Sequence, residues 1–126
     1  MKLFLPERGR EEFLSWIARA EIVVSCQITY AEVYRALMLG GLRDHEAAAD
    51  QWERDWEAIA IVAVDDQLIR RAAALSVRVQ LRTLDALHLA SAESVQDADL
   101  RLATWDLRLA RAARLLGIGV LPDPEP

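Results

Sequence analysis

Short β-branched and aliphatic runs alternate along this chain with longer segments whose apolar residues recur at helical spacing. That alternation restricts the fold more than any other feature, because each short run is too brief for a helix and each long one has the wrong period for a strand. "EIVVSCQIT" is a run long enough for a strand buried on both faces, "IAIVAV" is a second, "DLRLATW" a third and "IGVLP" a short last one.

The intervening segments read as helices. In "GREEFLSWIARA", Phe13, Trp16, Ile17 and Ala20 fall at i, i+3, i+4 and i+7, the stripe of an amphipathic helix. "TYAEVYRALMLGG" follows the first run, with Thr29 as its expected cap and Gly40-Gly41 as its stop. "RDHEAAADQWERDWEAIA" places Ala48, Trp52, Trp56 and Ile59 on one face. Asp65-Asp66 cap "QLIRRAAAL", striped by Leu68, Ala72 and Leu75; "LDALHLASAESV" and "DLRLARAARLLG" complete the set, the latter stopped by Gly117. "SVRVQLRT" breaks the pattern, since Val77, Val79 and Leu81 alternate with polar residues in strand rhythm; an extended connection is expected there.

Strands separated by helices predict an α/β fold with a largely parallel sheet and right-handed crossovers. At 126 residues the chain is long enough for one core, so one domain is expected, with residues 1–121 as its ordered part and 122–126 as a tail. No apolar run reaches the length of a membrane span, and no signal-like leader precedes the first helix. A cytoplasmic protein without membrane association is expected. Cys26, the single cysteine, has no intrachain partner and suits a small buried hydrophobe.

Charge narrows the partners. Residues 1–66 carry 7 basic and 13 acidic side chains and residues 67–126 carry 8 and 7, so a nucleic acid would have to meet a local patch against a repulsive overall field. In the last helix Leu109, Ala112, Ala113 and Leu116 form the inward stripe and leave Arg108, Arg111 and Arg114 on another side. That side is either a solvated face or a contact for an RNA backbone.

Three acids stand at the starts of predicted helices: Glu32, Asp85 and Asp106. Each has two readings. "TYAE" fits a capping box between Thr29 and Glu32, and Asp85 and Asp106 suit helix N-termini electrostatically. In a parallel α/β sheet, however, residues just after strands gather at one edge, where ligands bind. Carboxylates crowded there repel one another unless a divalent cation neutralises them, and all-oxygen ligation without Cys or His indicates Mg²⁺ or Mn²⁺. Such an ion activates water and stabilises a departing oxygen in phosphodiester hydrolysis. His45 and His88 have no partner spaced for zinc; His88, three residues beyond Asp85, is expected to be structural and to bond Asp85. Ser25 and Ser91 lack a nucleophile-elbow context, and "GIG" at 117–119 is too short for a dinucleotide fingerprint.

"SCQITYAEVYRAL", "LRTLDALHLASA" and "LATWDLRLARAARLLGIGV" together resemble the PIN-domain ribonucleases, in particular the VapC-type toxins of toxin–antitoxin systems, over nearly the whole chain. The resemblance implies a three-layer α/β/α sandwich with a parallel sheet, Mg²⁺-dependent RNA cleavage, a cognate antitoxin and a homodimer. It also implies that Glu32, Asp85 and Asp106 hold the metal, and that Thr104, two residues before Asp106, orients a carboxylate or the attacking water. The chain departs from the family at its opening. "MKLFLPERGREEF" reads as the last turn of an apolar helix, a break at Pro6 and a second helix, whereas the family begins with a central strand ending in Asp. The expectation is therefore a sheet without its central first strand, in a gene product read from an internal Met, or a shortened one whose gap is filled by rearrangement or by another chain. A rival reading from another class is a non-catalytic module that binds an antitoxin or itself through apolar surfaces at Phe4, Phe13, Trp16, Trp52 and Trp56, residues that core packing accounts for equally well.

Overall fold

A parallel five-stranded sheet forms the middle layer of the computed structural model, which describes residues 1–7, 12–41 and 43–123. In chain order the elements are β1 (Lys2–Phe4), α1 (Glu12–Arg19), β2 (Ile22–Cys26), α2 (Ile28–Leu39), α3 (His45–Glu57), β3 (Ala60–Val62), α4 (Asp66–Arg78), α5 (Thr83–Ser94), β4 (Leu100–Ala103), α6 (Leu107–Leu115) and β5 (Gly119–Leu121). The strand order is β3-β2-β1-β4-β5 and every pairing is parallel. The α/β expectation holds.

Strand alternation divides the core in two. Phe4, Val24, Cys26, Leu100, Leu102 and Val120 face a cluster built with α4, α5 and α6. Their neighbours Leu3, Val23, Ala103 and Leu121 face the other way, against Phe13, Trp16, Ile17 and Ala20 of the α1 segment. Burial on both faces explains why these runs carry apolar residues at adjacent positions, as at Leu3-Phe4, Val23-Val24 and Leu102-Ala103, rather than only at alternate ones. The α2–α3 hairpin closes its own cluster, with Val33, Leu37 and Trp52 buried and Tyr30, Trp56 and Ile59 packed beside them. Phe4, Phe13 and Trp52 are thus core residues and Trp16 and Trp56 are half-buried, so the surface on which an interaction module would depend is mostly interior.

Three local expectations are corrected. The central place in the sheet is not vacant: Lys2–Phe4 pairs with Ile22–Val24 on one side and Leu100–Leu102 on the other. Without it β2 and β4 would each turn unpaired backbone groups into the core, and "KLF" supplies both edges while sending Leu3 and Phe4, each fully buried, to opposite faces. Three residues before a Pro carry too little periodicity to separate strand from helix. At "SVRVQLRT", α4 runs on to Arg78, then ends with Gln80 in the left-handed region at φ 54° and a 3.1 Å bond from Leu81 N–H to the Ser76 carbonyl. This is the geometry of a Schellman stop, usually reserved for glycine. It buries Leu81 while leaving Val77 on the surface, so the alternation was coincidental. Thr29 is inside α2 rather than capping it: Gln27 is the N-cap, and the buried Thr29 hydroxyl is hydrogen-bonded to Ser25 Oγ at 2.8 Å. Residues 9–11 of the expected first helix and residues 124–126 of the expected tail lie outside the described residues.

Candidate active site

The direction of α5 decides where the three acids lie. Lys2, at the start of β1, donates from Nζ to the Val95 carbonyl just past the end of α5 (2.5 Å) and to Asp97 (2.7 Å). Glu32, one turn into the helix that follows β2, meets His88 in the middle of α5 at 2.7 Å. The helix therefore ends at the amino edge of the sheet and begins at the carboxyl edge, which puts Asp85 on the same edge as Glu32. Thr104 and Asp106 reach it from the end of β4. From β1 the chain proceeds outward through β2 and β3, then crosses to β4 and β5 on the other side. The β1–β4 boundary is thus the topological switch point, where an open parallel sheet leaves a crevice.

Each acid is held differently. The Glu32 carboxylate can only accept, so Nε2 of His88 donates to it. His88 is buried, and its Nδ1 has no hydrogen-bond partner among the described residues. Asp85, a quarter exposed, stands 3.5 Å from the exposed Arg82 guanidinium. Asp106 is a true N-cap: its Oδ1 accepts from the backbone N–H of Arg108 (2.9 Å) and Leu109 (3.3 Å). Thr104 is 3 % exposed and accepts the Asp106 N–H on Oγ1 at 3.1 Å, so it fixes the backbone that carries Asp106.

The central strand is followed by Leu5, Pro6 and Glu7. Leu5 follows β1, is buried, donates to the Val24 carbonyl and accepts from Ser25 Oγ at 2.5 Å. Ser25 is consequently a buried structural hydroxyl.

Glu32, Asp85 and Asp106 all reach one edge of the sheet. Among the described residues no three His, Cys, Asp or Glu side chains form a group able to hold a metal ion. Their donor chemistry suits a hard cation, but as placed Glu32 is committed to His88 and Asp106 to its own helix. The expected His88–Asp85 contact is replaced by His88–Glu32. That pair joins residues 56 positions apart, and only the polar imidazole on an otherwise apolar stretch of α5 hinted that His88 needed a partner.

An aromatic cluster flanks this edge, and an ion pair lies away from it, in the last turn of α5. Trp105, between Thr104 and Asp106, is packed against Phe13 and Trp16 with ring centroids 6.5 and 6.2 Å away. On the far side of α5, Arg71 of α4 makes a paired contact with Glu93, both bonds 2.6 Å. No helix among the described residues is long and apolar enough to cross a membrane.

Comparison with known proteins places this architecture. A model of the PIN domain matches residues 1–115. Ribonuclease VapC46 of Mycobacterium tuberculosis is 38% identical over 122 residues, covering 96% of this chain and 89% of that protein. Among solved structures, PAE2754 from Pyrobaculum aerophilum superposes with a TM-score of 0.72 at 19% identity, covering 96% of this chain and 84% of that one. A toxin–antitoxin complex from Klebsiella pneumoniae gives 0.71 at 20% identity, covering all of both chains.

Proposed function

The chain belongs to the PIN-domain family, and from that premise we propose that it is a ribonuclease toxin controlled by an antitoxin. The observation that carries this reading is the arrival of Glu32, Asp85 and Asp106 at the carboxyl edge of the sheet, beside the β1–β4 switch point. A relative at 38% identity is named a ribonuclease, and a neighbour of the same fold was solved as a toxin–antitoxin complex; both support it.

Hydrolysis of a phosphodiester needs a water aligned with phosphorus opposite the departing 3′ oxygen, and a base to take its proton. Glu32 and Asp85 are the candidates for that base. His88 is a positioning residue, since it fixes the carboxylate of Glu32 without touching substrate. Thr104 acts likewise on the backbone of Asp106.

We further propose that cleavage needs Mg²⁺ or Mn²⁺, which would supply charge stabilisation at the reacting phosphate. In the structure the three acids do not gather around one point, so no step is assigned to the ion. Binding would require Glu32 to exchange His88, and Asp85 to exchange Arg82, for the cation. The test of function is incubation of the purified chain with end-labelled RNA and Mg²⁺, read on a denaturing gel. Discrete fragments support the reading, and intact RNA across a panel of sequences refutes it.

A further inference from the structure

Beside the carboxylate edge is a small open hollow between the turn that ends α4 and one side of α6. Gln80 and Leu81 form one wall and Arg108, Arg111 and Leu115 the other. Both walls lead to acids of the site: Leu81 is followed four residues later by Asp85, and Arg108 donates its backbone N–H to Asp106.

The two arginines are exposed, and neither has a carboxylate within ion-pair distance among the described residues. Arg70 and Arg71, by contrast, are each paired with an acid. From Leu107 to Pro122 the sequence contains Arg108, Arg111 and Arg114 and no acid at all. In a chain of net charge −5, an uncompensated basic stretch next to Asp106 is a local reversal of the field. Arg108 and Arg111 are three residues apart on one helix, so their side chains are neighbours, about 5–6 Å apart at Cβ.

We propose that this hollow is a backbone-phosphate subsite for single-stranded RNA, in which Arg108 and Arg111 each neutralise one phosphate flanking the scissile bond. The assignment rests on the ribonuclease reading above and adds to it where the strand runs: off the switch point and along the start of α6. Guanidinium forks bind phosphate oxygens bidentately, which suits them to this position better than a lysine. The contact is sequence-independent and so governs affinity rather than target choice. It also supplies the short-range attraction that a negatively charged protein needs to retain an RNA.

The test is fluorescence anisotropy of a fluorescein-labelled single-stranded RNA against the full chain in EDTA, over a salt series. The comparison is with the Arg108→Gln/Arg111→Gln double variant and with Arg70→Gln as a control. The double variant is expected to bind at least ten-fold more weakly, with its salt dependence reduced by about 1.4, two phosphates at about 0.7 each. Its KM for cleavage should rise while kcat is retained, and Arg70→Gln should match the wild type. Equal affinity and equal slope for the double variant and the wild type would overturn the subsite while leaving the ribonuclease reading intact. A wild-type chain that neither binds nor cleaves RNA would overturn both.

Discussion

Nε2 of His88 on α5 lies 2.7 Å from a carboxylate oxygen of Glu32 on α2, and this bond ties the two helices that bring acids to the carboxyl edge. The imidazole is 4 % exposed and the Glu32 side chain 38 %, so the donor is out of water while its acceptor is partly solvated. Removing the acceptor leaves a buried donor unmade, a loss of about 1–3 kcal/mol. Glu32→Ala is therefore expected to lower the unfolding free energy measured in urea by that amount, whereas Glu32→Gln, which keeps an acceptor oxygen, should cost less than half as much. Unchanged stability in Glu32→Ala would show that the bond contributes nothing.

Asp106 can be separated into a cap and a reactive group. Its side chain accepts two backbone N–H groups at the start of α6, so Asp106→Ala should cost about 1 kcal/mol of stability. Asparagine caps equally well, so Asp106→Asn should leave the unfolding curve within a few tenths of a kcal/mol while abolishing cleavage. Chemical denaturation and an RNA cleavage assay on the same preparations check both halves.

Gln80 holds a left-handed conformation at φ 54°, which disfavours an L side chain by about 1–2 kcal/mol. Gln80→Gly is expected to raise stability by about 1 kcal/mol, less the entropy that glycine adds to the unfolded chain. A thermal shift in the opposite direction would mean that the Gln80 side chain makes a stabilising contact.

The Arg71–Glu93 pair predicts a pH dependence. Hydrogen bonds from Arg71 hold the Glu93 carboxyl below its usual range, with the Arg71 and Arg78 charges adding to the effect and desolvation opposing it. A depressed carboxylate contributes stability that is complete above its unfolded value, about 4.3, and is lost as the pH falls through the lower folded value. Because Arg71 is 41 % exposed, the contribution is screened to about 1 kcal/mol. Glu93→Gln should therefore be destabilised at pH 7, and its unfolding midpoint should approach that of the wild type below about pH 4.

The strand–helix alternation was legible because doubly buried strands and striped helices leave unmistakable composition in "IVVSC", "LRLA" and "DLRLARAARLLG". What was not legible depended on partners remote in sequence. "KLF" becomes a strand only because β2 and β4 present their edges on both sides of it. α4 outlasts its apparent strand rhythm because Leu81 is drawn into the core beyond a left-handed Gln80. The N-cap role of Asp106 was legible because it acts within two or three residues of itself, and Thr104 acts as locally, on the Asp106 backbone N–H. Glu32 also meets His88, a contact that no local pattern announces.

Asp85 offers the most direct test of the central claim, that the carboxyl edge of this sheet cleaves RNA. Its only ion pair among the described residues is with an exposed arginine, so Asp85→Asn should leave stability nearly unchanged. The decisive measurement is the initial rate of RNA cleavage by the wild type and Asp85→Asn in Mg²⁺, and by the wild type after addition of EDTA. A fall of at least about 100-fold in the variant, with loss of activity in EDTA, is the predicted result; cleavage by Asp85→Asn at the wild-type rate would contradict the account.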